Sequence, residues 1–198
     1  MKLILVRHGE TVENAAKIIQ GQTHGKLNAL GIEQAKKIGL RLKEEHIDIA
    51  YVSDLERTCA TAAEILHFHP KVPVVYTKDL RERNWGIWEG KKSEERKNFF
   101  TEEGHCINNY KPEGGESFDE MQQRMLDFIT TILKKHEKNT VLIISHGGTL
   151  TSFYLSLFQK VKEEYKTYHP KNAAVTILEI SEDKKHTVHV LNCVKHLE

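Results

Sequence analysis

Short apolar runs without polar alternation recur along this chain and predict the strands of a parallel sheet. They occupy residues 2–6, 47–53, 72–77 and 140–145. Strands covered on both faces show such continuous apolar stretches, whereas half-exposed strands alternate between apolar and polar positions. Two further runs, residues 173–180 and 186–194, are joined by the turn-like stretch SEDKK and predict a closing hairpin.

Helical patterns fill the intervals between these strands. From about residue 28 to residue 45 apolar side chains recur every three or four positions, as Ile32, Ala35, Ile38 and Leu42. The fourth strand is followed by a second such segment, which predicts a helix through about Gln159.

Two Ser-x-x-Glu patterns mark helix starts, because such a pair forms a capping box that satisfies free N–H groups of the first turn. Ser53 with Glu56 predicts a helix after the second strand, with Arg57 in its first turn. Ser117 with Glu120 predicts a long helix. The core face of that helix is predicted to be Phe118, Met121, Met125, Phe128, Ile129 and Ile132.

Strands that alternate with helices predict an α/β fold. We expect a three-layer α/β/α domain with a mostly parallel sheet, an antiparallel edge strand and a small lid insertion. The length of 198 residues fits a single domain, 1–198. Residues of about 84–117 are rich in Gly, Lys, Glu and Asn and show weak periodicity, which is typical of a lid-like insertion.

Polar residues follow all four predicted parallel strands. In chain order they are Arg7 and His8, then Arg57, then Arg81, Glu82 and Arg83, and finally His146. The ligand crevice of such a sheet lies beyond the carboxyl ends of its strands, so these side chains are expected at one edge. Arginine forks and free backbone amides bind phosphate oxygens, a neutral imidazole is a nucleophile, and a carboxyl group moves protons.

Composition narrows the function classes. The chain carries 29 basic and 28 acidic residues, for a net charge of +1, which argues against bulk binding of nucleic acid or a membrane surface. No apolar run approaches the roughly 18 residues of a membrane span. The three cysteines, Cys59, Cys106 and Cys193, are odd in number and scattered, which favours a reducing, cytoplasmic location.

Other phosphate and metal chemistries fit the sequence poorly. Two glycine-rich stretches have three residues between their glycines, where the P-loop needs four. No cysteine is followed six positions later by the arginine of a cysteine phosphatase. The pairs His67/His69 and His186/His189 have no nearby carboxylate or cysteine, so neither a metal site nor a cofactor is predicted.

Five motifs in order, RHGET, SDLERT, LRERNWGIWEG, GGES and SHGG, resemble those of the histidine phosphatase superfamily, which includes cofactor-dependent phosphoglycerate mutases. They span nearly the whole chain and are most similar to the broad-specificity and fructose-2,6-bisphosphatase-type branch. A departure lies in GQTHGKL, where relatives often have Asp and Pro in place of His24 and Lys26. That loop borders the substrate in the family.

The resemblance implies a role for each matching position. His8 would be the nucleophile that becomes phosphohistidine, and Glu82 the proton donor, with Glu89 as its nearest rival. The transferring phosphoryl group would be clamped by Arg7, Arg57 and His146. Phosphate or substrate would also contact Asn14, Gln20, Gly21, Arg83 and Gly147. Six cations are candidates either for a ring at the mouth that attracts a second phosphate or for a solvated run of surface charge: Lys17, Lys26, Arg81, Arg83, Lys91 and Lys92.

Three functions stay open at this level. A metal-independent phosphatase that hydrolyses small phosphorylated metabolites, such as sugar phosphates, through a phosphohistidine is favoured. The segment after Glu82 is shorter than in mutases and has Arg96 in place of an arginine pair, so a more open lid would admit water. A phosphoglycerate mutase is the second candidate, and a non-catalytic phosphate-binding module the third.

Overall fold

The computed structural model describes residues 1–102, 110–181, 183 and 185–198. Its six strands are β1 (Lys2–Arg7), β2 (Ile49–Ser53), β3 (Val74–Thr77), β4 (Thr140–Ser145), β5 (Val175–Ile180) and β6 (His186–Cys193). Its seven α-helices are α1 (Val12–Ala15), α2 (Ala29–Leu42), α3 (Glu56–Leu66), α4 (Ser93–Glu102), α5 (Phe118–Lys135), α6 (Gly147–Leu157) and α7 (Tyr165–Tyr168). All six predicted strands are confirmed, and β2, β3 and β5 each begin two residues later than predicted.

The strands form one sheet in the order β3-β2-β4-β1-β5-β6. β1, β2, β3 and β4 pair in parallel, and β5 pairs antiparallel with both β1 and β6. The antiparallel strand therefore lies one place in from the edge. β1 and β4 are central neighbours, with Arg7 opposite Ser145, so the residues that follow them leave the sheet side by side.

Helices cover both faces of the sheet because successive strand side chains point to opposite sides. Leu3 and Leu5 of β1 pack with Met125 of α5 and Phe153 of α6. Ile4 and Val6 of the same strand pack on the other face, in a cluster with apolar residues of α2 and α3 that includes Ile38, Leu42, Ala62 and Ile65. The three-layer α/β/α prediction is confirmed.

The two predicted capping boxes have opposite outcomes. The Ser117 box is confirmed, and α5 buries all six predicted core residues. The Ser53 box is wrong, because α3 begins at Glu56 with Leu55 as its N-cap and no side-chain cap. The Ser53 hydroxyl is instead hydrogen-bonded to the ring of His146, at 2.8 Å. Arg57 does lie in the first turn of α3, as predicted.

The segment predicted as a lid contains ordered structure in its described part. A short 3-10 turn, Gly86–Trp88, precedes α4. Trp88 is buried, and its ring lies 5.2 Å from Phe99 and 6.4 Å from Phe100. Cys106 lies outside the described residues. Over the described chain, no helix has the length and apolar character needed to cross a membrane.

Candidate active site

A cavity of about 650 Å³ lies beyond the carboxyl ends of β1 and β4. Eight of the ten predicted site residues line it: Arg7, His8, Asn14, Gln20, Gly21, Arg57, Glu82 and Arg83. His146 and Gly147 are not among the described residues that line it. The ring of His146 is hydrogen-bonded to Arg57, and a Cβ added at Gly147 would lie 3.2 Å from the Cζ atom of Arg7. The expectation from parallel-sheet geometry, that the distant motifs meet at one edge, therefore agrees with the structure.

One ring nitrogen of His8 is hydrogen-bonded, and the other has no hydrogen bond to any described residue. The ring is 2% exposed, and its Nδ1 lies 2.7 Å from the carbonyl oxygen of Gly9. A carbonyl only accepts, so Nδ1 carries the proton and Nε2 presents a lone pair. Burial, reinforced by the charges of Arg57 and Arg7, holds the pKa of His8 well below its usual value. His8 is therefore a neutral imidazole at neutral pH, as a nucleophile requires.

His146 is engaged at both ring nitrogens. Its Nδ1 accepts a hydrogen bond from Arg57 Nε at 3.2 Å, so Nε2 carries the proton and donates to the Ser53 hydroxyl at 2.8 Å. The ring is fully buried, and its pKa is held well below the usual value by burial and then by Arg57. Its centre lies 5.1 Å from that of His8. His146 therefore contacts the guanidinium of Arg57, which lines the cavity.

Arg57 is a buried cation whose orientation is fixed on three sides. Besides the bond to His146, Nη1 donates to the carbonyl of Thr23 at 2.8 Å and Nη2 to that of Gly21 at 2.7 Å. All three partners are neutral, so its positive charge is not cancelled by a bonded carboxylate. Burial lowers the pKa of Arg57 to about 10, which leaves it charged at neutral pH. A fixed cation in a water-poor pocket stabilises an anion strongly.

Arg7 supplies the second cation of the cavity floor. Its Nη1 donates to the carbonyl of Pro170 at 2.6 Å, and its buried Nε has no hydrogen-bond partner among the described residues. Burial lowers the pKa of Arg7, and Glu82 opposes that shift. A buried donor that lacks a partner is rare in native proteins, and an anion in the cavity would supply one.

Glu82 is fixed by two backbone amides. Oε1 accepts from the N–H of Arg83 at 2.9 Å, and Oε2 accepts from the N–H of Gly148 at 2.9 Å. A Cβ at Gly148 would lie 2.4 Å from Oε1, so the second glycine of SHGG permits this close approach. The rival Glu89 accepts from the backbone N–H groups of Gln22 and Trp85 and does not line the cavity among the described residues. Geometry therefore favours Glu82.

Residues 11–21, which follow His8 in the chain, contribute Asn14, Gln20 and Gly21 to the cavity wall. Thr11 caps α1 and exchanges hydrogen bonds with Asn14, whose Oδ1 also accepts from Asn172. Because that oxygen is occupied, the NH₂ group of Asn14 is the part left for a ligand. Gln20 is buried and lines the cavity, and Gly21 contributes the carbonyl that holds Arg57.

The opposite wall is formed by residues of the lid segment. The guanidinium groups of Arg83 and Arg96 each lie 4.1 Å from the ring centre of Trp85. Arg83 is buried and donates to the backbone carbonyls of Glu116, at 3.0 Å, and Tyr110. Burial lowers the pKa of Arg83 to about 10. Trp85 is therefore a wall of the cavity, whereas Trp88 belongs to the lid's own packing.

Most of the cationic ring expected at the mouth lies elsewhere. Lys17 and Arg83 line the cavity, but the other four expected members do not among the described residues. Arg81 is paired with Asp54 through two bonds of 2.6 Å, and Lys26 lies 4.0 Å from Glu56. Lys91 lies over the ring of Trp88. Ion pairs or lid packing therefore engage three of these four side chains, Arg81, Lys26 and Lys91.

Sequence reasoning missed the segment just before β5. The Asn172 side chain donates to the carbonyls of His8 and Gly9, at 3.2 and 3.3 Å, and to Asn14. His169 lines the cavity, and burial lowers its pKa to about 4. The available signal was topological: β5 runs antiparallel to β1, so the residues before β5 lie where β1 ends.

One more missed residue holds the acid loop. Arg124 of α5 donates to the carbonyl of Arg81 at 2.9 Å and to Glu116 Oε1 at 2.6 Å.

In the described part of the chain, no group of three or more His, Cys, Asp or Glu side chains is arranged to hold a metal ion.

Comparison with known proteins gives one answer for the family. The model described as "Histidine phosphatase superfamily (branch 1)" matches residues 3–193. The metal-independent phosphoserine phosphatase of Arabidopsis thaliana is 36% identical over 207 residues, covering 99% of this chain and 83% of that protein. Among solved structures, Bacillus stearothermophilus YhfR has a TM-score of 0.90 and 29% identity, covering 100% of this chain and 99% of its own.

A further solved structure is a phosphoserine phosphatase from Entamoeba histolytica in complex with 3-phosphoglyceric acid. It has a TM-score of 0.84 and 28% identity, and covers 100% of this chain and 99% of its own. The family match runs from β1 to β6, and the sheet, the paired histidines and the cavity beyond β1 and β4 fit it. This chain therefore belongs to the histidine phosphatase superfamily, which confirms the resemblance of its five ordered motifs.

Proposed function

We propose that the protein is a phosphatase that hydrolyses phosphomonoesters of small metabolites through a phosphohistidine at His8. The observation that carries this proposal is the neutral ring of His8, whose Nε2 bonds no described residue, in a cavity that Arg7 and Arg57 also line. The phosphatases among the similar proteins support the same reaction class. Site residues come from positions 7 to 169, so we also infer that residues 1–198 act as one domain with a lid at about 84–117.

The first step transfers the phosphoryl group to the enzyme. His8 Nε2 forms a bond to phosphorus while the bond from phosphorus to the leaving oxygen breaks. Arg7 and Arg57 stabilise the charge on the equatorial oxygens, and the carboxyl group of Glu82 gives its proton to the leaving oxygen. Asn14 adds an N–H donor, and His146 holds Arg57 in place. Catalysis on this account is positioning and electrostatic stabilisation.

The second step releases phosphate. A water oxygen attacks phosphorus, the phosphorus–nitrogen bond breaks, and its electron pair returns to His8 Nε2. The proton of the water passes to the carboxylate of Glu82, which restores the starting state. The two backbone N–H groups that bind Glu82 keep the carboxyl group in place through both steps.

Turnover of a panel of phosphomonoesters in EDTA tests this proposal. Phosphate should be released from p-nitrophenyl phosphate, glycerol 3-phosphate and 3-phosphoglycerate. Glu82→Gln should slow the two alkyl phosphates by about 10²-fold or more, because they need a proton on the leaving oxygen, and should affect the aryl phosphate much less. Equal slowing of all three would remove Glu82 from the acid role.

Two other outcomes would replace the proposed function. Conversion of 3-phosphoglycerate to 2-phosphoglycerate faster than phosphate release would identify a mutase. Binding without turnover of any member of the panel would identify a non-catalytic phosphate-binding module.

A further inference from the structure

His169 is a cavity residue that takes no part in the two chemical steps proposed for His8 and Glu82. It lies between α7 and β5 and lines the cavity together with both of those residues. Its ring is stacked on that of Tyr165, with ring centres 5.1 Å apart and planes 27° from parallel. Burial, reinforced by the charge of Arg7, lowers its pKa to about 4, so the imidazole is neutral at neutral pH.

The hydrogen bonds of Thr151 decide which ring nitrogen of His169 carries the proton. The Thr151 hydroxyl donates to the carbonyl of Gly147 at 2.6 Å, and a hydroxyl has only one hydrogen to donate. His169 Nδ1 lies 3.0 Å from the same hydroxyl oxygen, so Nδ1 is the donor in that contact. His169 Nε2 then presents a lone pair and bonds no described residue. His169 therefore brings a hydrogen-bond acceptor to the cavity.

The two glycines of SHGG place this nitrogen beside the proposed acid. A Cβ added at Gly147 would lie 2.8 Å from His169 Nε2 and 3.2 Å from the Cζ atom of Arg7. A Cβ added at Gly148 would lie 2.4 Å from Glu82 Oε1. The imidazole and the carboxylate therefore rest against consecutive residues at the start of α6, with the Arg7 guanidinium beside them.

Two acceptors side by side fit a nucleophile that has two O–H groups. In the hydrolytic step one proton of the attacking water passes to Glu82, and the other stays on the oxygen that joins the phosphate. An O–H group left unpaired in a protein cavity costs free energy, and a second acceptor removes that cost and orients the water. The leaving oxygen of a phosphomonoester carries no hydrogen, so it has no such group to offer His169.

We propose that His169 Nε2 accepts a hydrogen bond from the water that attacks the phosphohistidine, so that His169 assists hydrolysis and not the transfer to His8. This inference rests on the proposed function and deepens it. The water oxygen bonds to phosphorus, Glu82 takes one proton, and the bond from phosphorus to His8 Nε2 breaks with its electron pair returning to nitrogen. The hydrogen that faces His169 is not transferred and leaves on the phosphate. An alcohol has only the hydrogen that Glu82 takes, so His169 favours water as the acceptor of the phosphoryl group.

Rapid-quench measurement of the phosphoenzyme during a single turnover of p-nitrophenyl phosphate follows its formation and its decay separately. His169→Phe keeps a ring against Tyr165 and removes both nitrogens. It should slow phosphoenzyme hydrolysis by roughly 5- to 20-fold and leave phosphorylation within about twofold, so that phosphoenzyme accumulates. His169→Gln should recover much of the loss, because its amide oxygen is an acceptor at a similar reach.

Competition between water and an alcohol gives a readout that a purely structural role would not change. With glycerol present, the phosphoenzyme divides between inorganic phosphate and glycerol phosphate, and the product ratio is measured at early conversion. His169→Phe should shift this ratio towards glycerol phosphate by about the factor by which hydrolysis slows, and His169→Gln should stay near wild type. His136→Phe is the matched control, because it removes another buried histidine, bonded to Tyr51 and outside the cavity lining among the described residues. It should leave the rates and the ratio unchanged.

The outcomes separate this inference from the function on which it rests. Wild-type protein that forms no phosphoenzyme would overturn the proposed function and this inference together. If the wild-type protein forms and hydrolyses phosphoenzyme, a His169→Phe variant that matches His136→Phe in hydrolysis rate and product ratio would overturn the inference alone. Equal slowing of phosphorylation and hydrolysis, with an unchanged product ratio, would also overturn it, because His169 would then support the fold of the site and not the water.

Discussion

The ends of β1 and β4 are the closest comparison within this molecule. Both strands are buried, both are parallel neighbours in the centre of the sheet, and both are followed by His-Gly, at His8 and His146. They are even joined there, since the N–H of His8 donates to the carbonyl of Ser145 at 3.2 Å. Local sequence alone would give the two histidines the same role.

Their hydrogen bonds differ, and the different roles that we propose for them rest on that difference. His8 gives one nitrogen to a carbonyl and keeps Nε2 for the cavity, whereas His146 is bonded on both sides, to Arg57 and Ser53. The partner of the His8 Nδ1 is the carbonyl of the adjacent Gly9, whereas both partners of His146, and with them its tautomer, come from distant parts of the chain. The comparison teaches that two histidines in similar motifs are distinguished by whether distant residues occupy both of their ring nitrogens.

The largest expected effect is at the reacting ring. His8→Ala should lower turnover by roughly 10³-fold or more and abolish the phosphoenzyme, because the other histidine of the pair, His146, is hydrogen-bonded at both ring nitrogens. Single-turnover kinetics with a radiolabelled phosphomonoester measure both quantities. Comparable phosphoenzyme in the variant would place the nucleophile elsewhere.

The next effect concerns the positioning ring. His146→Ala should slow phosphoryl transfer to His8 by roughly 10- to 100-fold, since Arg57 loses a partner that fixes its direction. His146→Gln should recover much of the loss, because its amide can accept from Arg57 and donate to Ser53. Pre-steady-state phosphoenzyme formation is the measurement. If Gln is as damaging as Ala, His146 acts on the phosphoryl group itself.

The pH dependence of the free energy of unfolding reports on both His8 and His146. Their pKa values are lowered in the fold, chiefly by burial, so below the unfolded value of about 6.5 the unfolded chain binds more protons than the native one. The free energy of unfolding should therefore fall as pH falls from about 6.5 towards the lower folded values. Each ring contributes a slope of up to about 1.4 kcal/mol per pH unit.

Urea unfolding at pH 7.0, 6.0 and 5.0 measures this slope. His8→Ala and His146→Gln should each flatten it relative to wild type. Variants with the wild-type slope would show that the rings are not held neutral by the fold.

The smallest effect is expected at Ser53, which is connected to the cavity through His146 and Arg57. Ser53→Ala removes one buried hydrogen bond and should cost about 1–2 kcal/mol of unfolding free energy and a few-fold in rate. Had Ser53 capped α3, the same change would weaken that helix and spare the kinetics. A rate equal to wild type, with stability reduced, would remove Ser53 from the support of His146.

Most of the fold was predictable because strands buried on both faces and amphipathic helices leave periodic patterns. The Ser117 box succeeded because its serine is half-buried and its hydroxyl bonds only the N–H of Glu120 among the described residues. The Ser53 box failed because the same four-residue pattern carries no information about His146, which is 93 residues away and takes the hydroxyl. A local pattern is reliable only where no distant group competes for it.

The site, like the fold, was predictable from local patterns only in part. Motifs at strand ends located His8, Arg57 and Glu82, but three-dimensional neighbours decided which cations face the cavity. The sequence predicts Arg81 at the mouth, but its guanidinium is bound to Asp54, whereas Arg96, which the sequence does not predict as a site residue, lines the cavity. Ion pairing between segments far apart in sequence determines these outcomes.

Identification of the phosphorylated residue tests the central claim most directly. The wild-type protein, mixed with a phosphomonoester in EDTA and quenched at alkaline pH to preserve phosphohistidine, would be digested and its phosphopeptides sequenced by mass spectrometry. The account predicts phosphate on the ring of His8, in the peptide that contains RHGE, and none on His146. Phosphate on His146, or on no histidine while turnover proceeds, would contradict it.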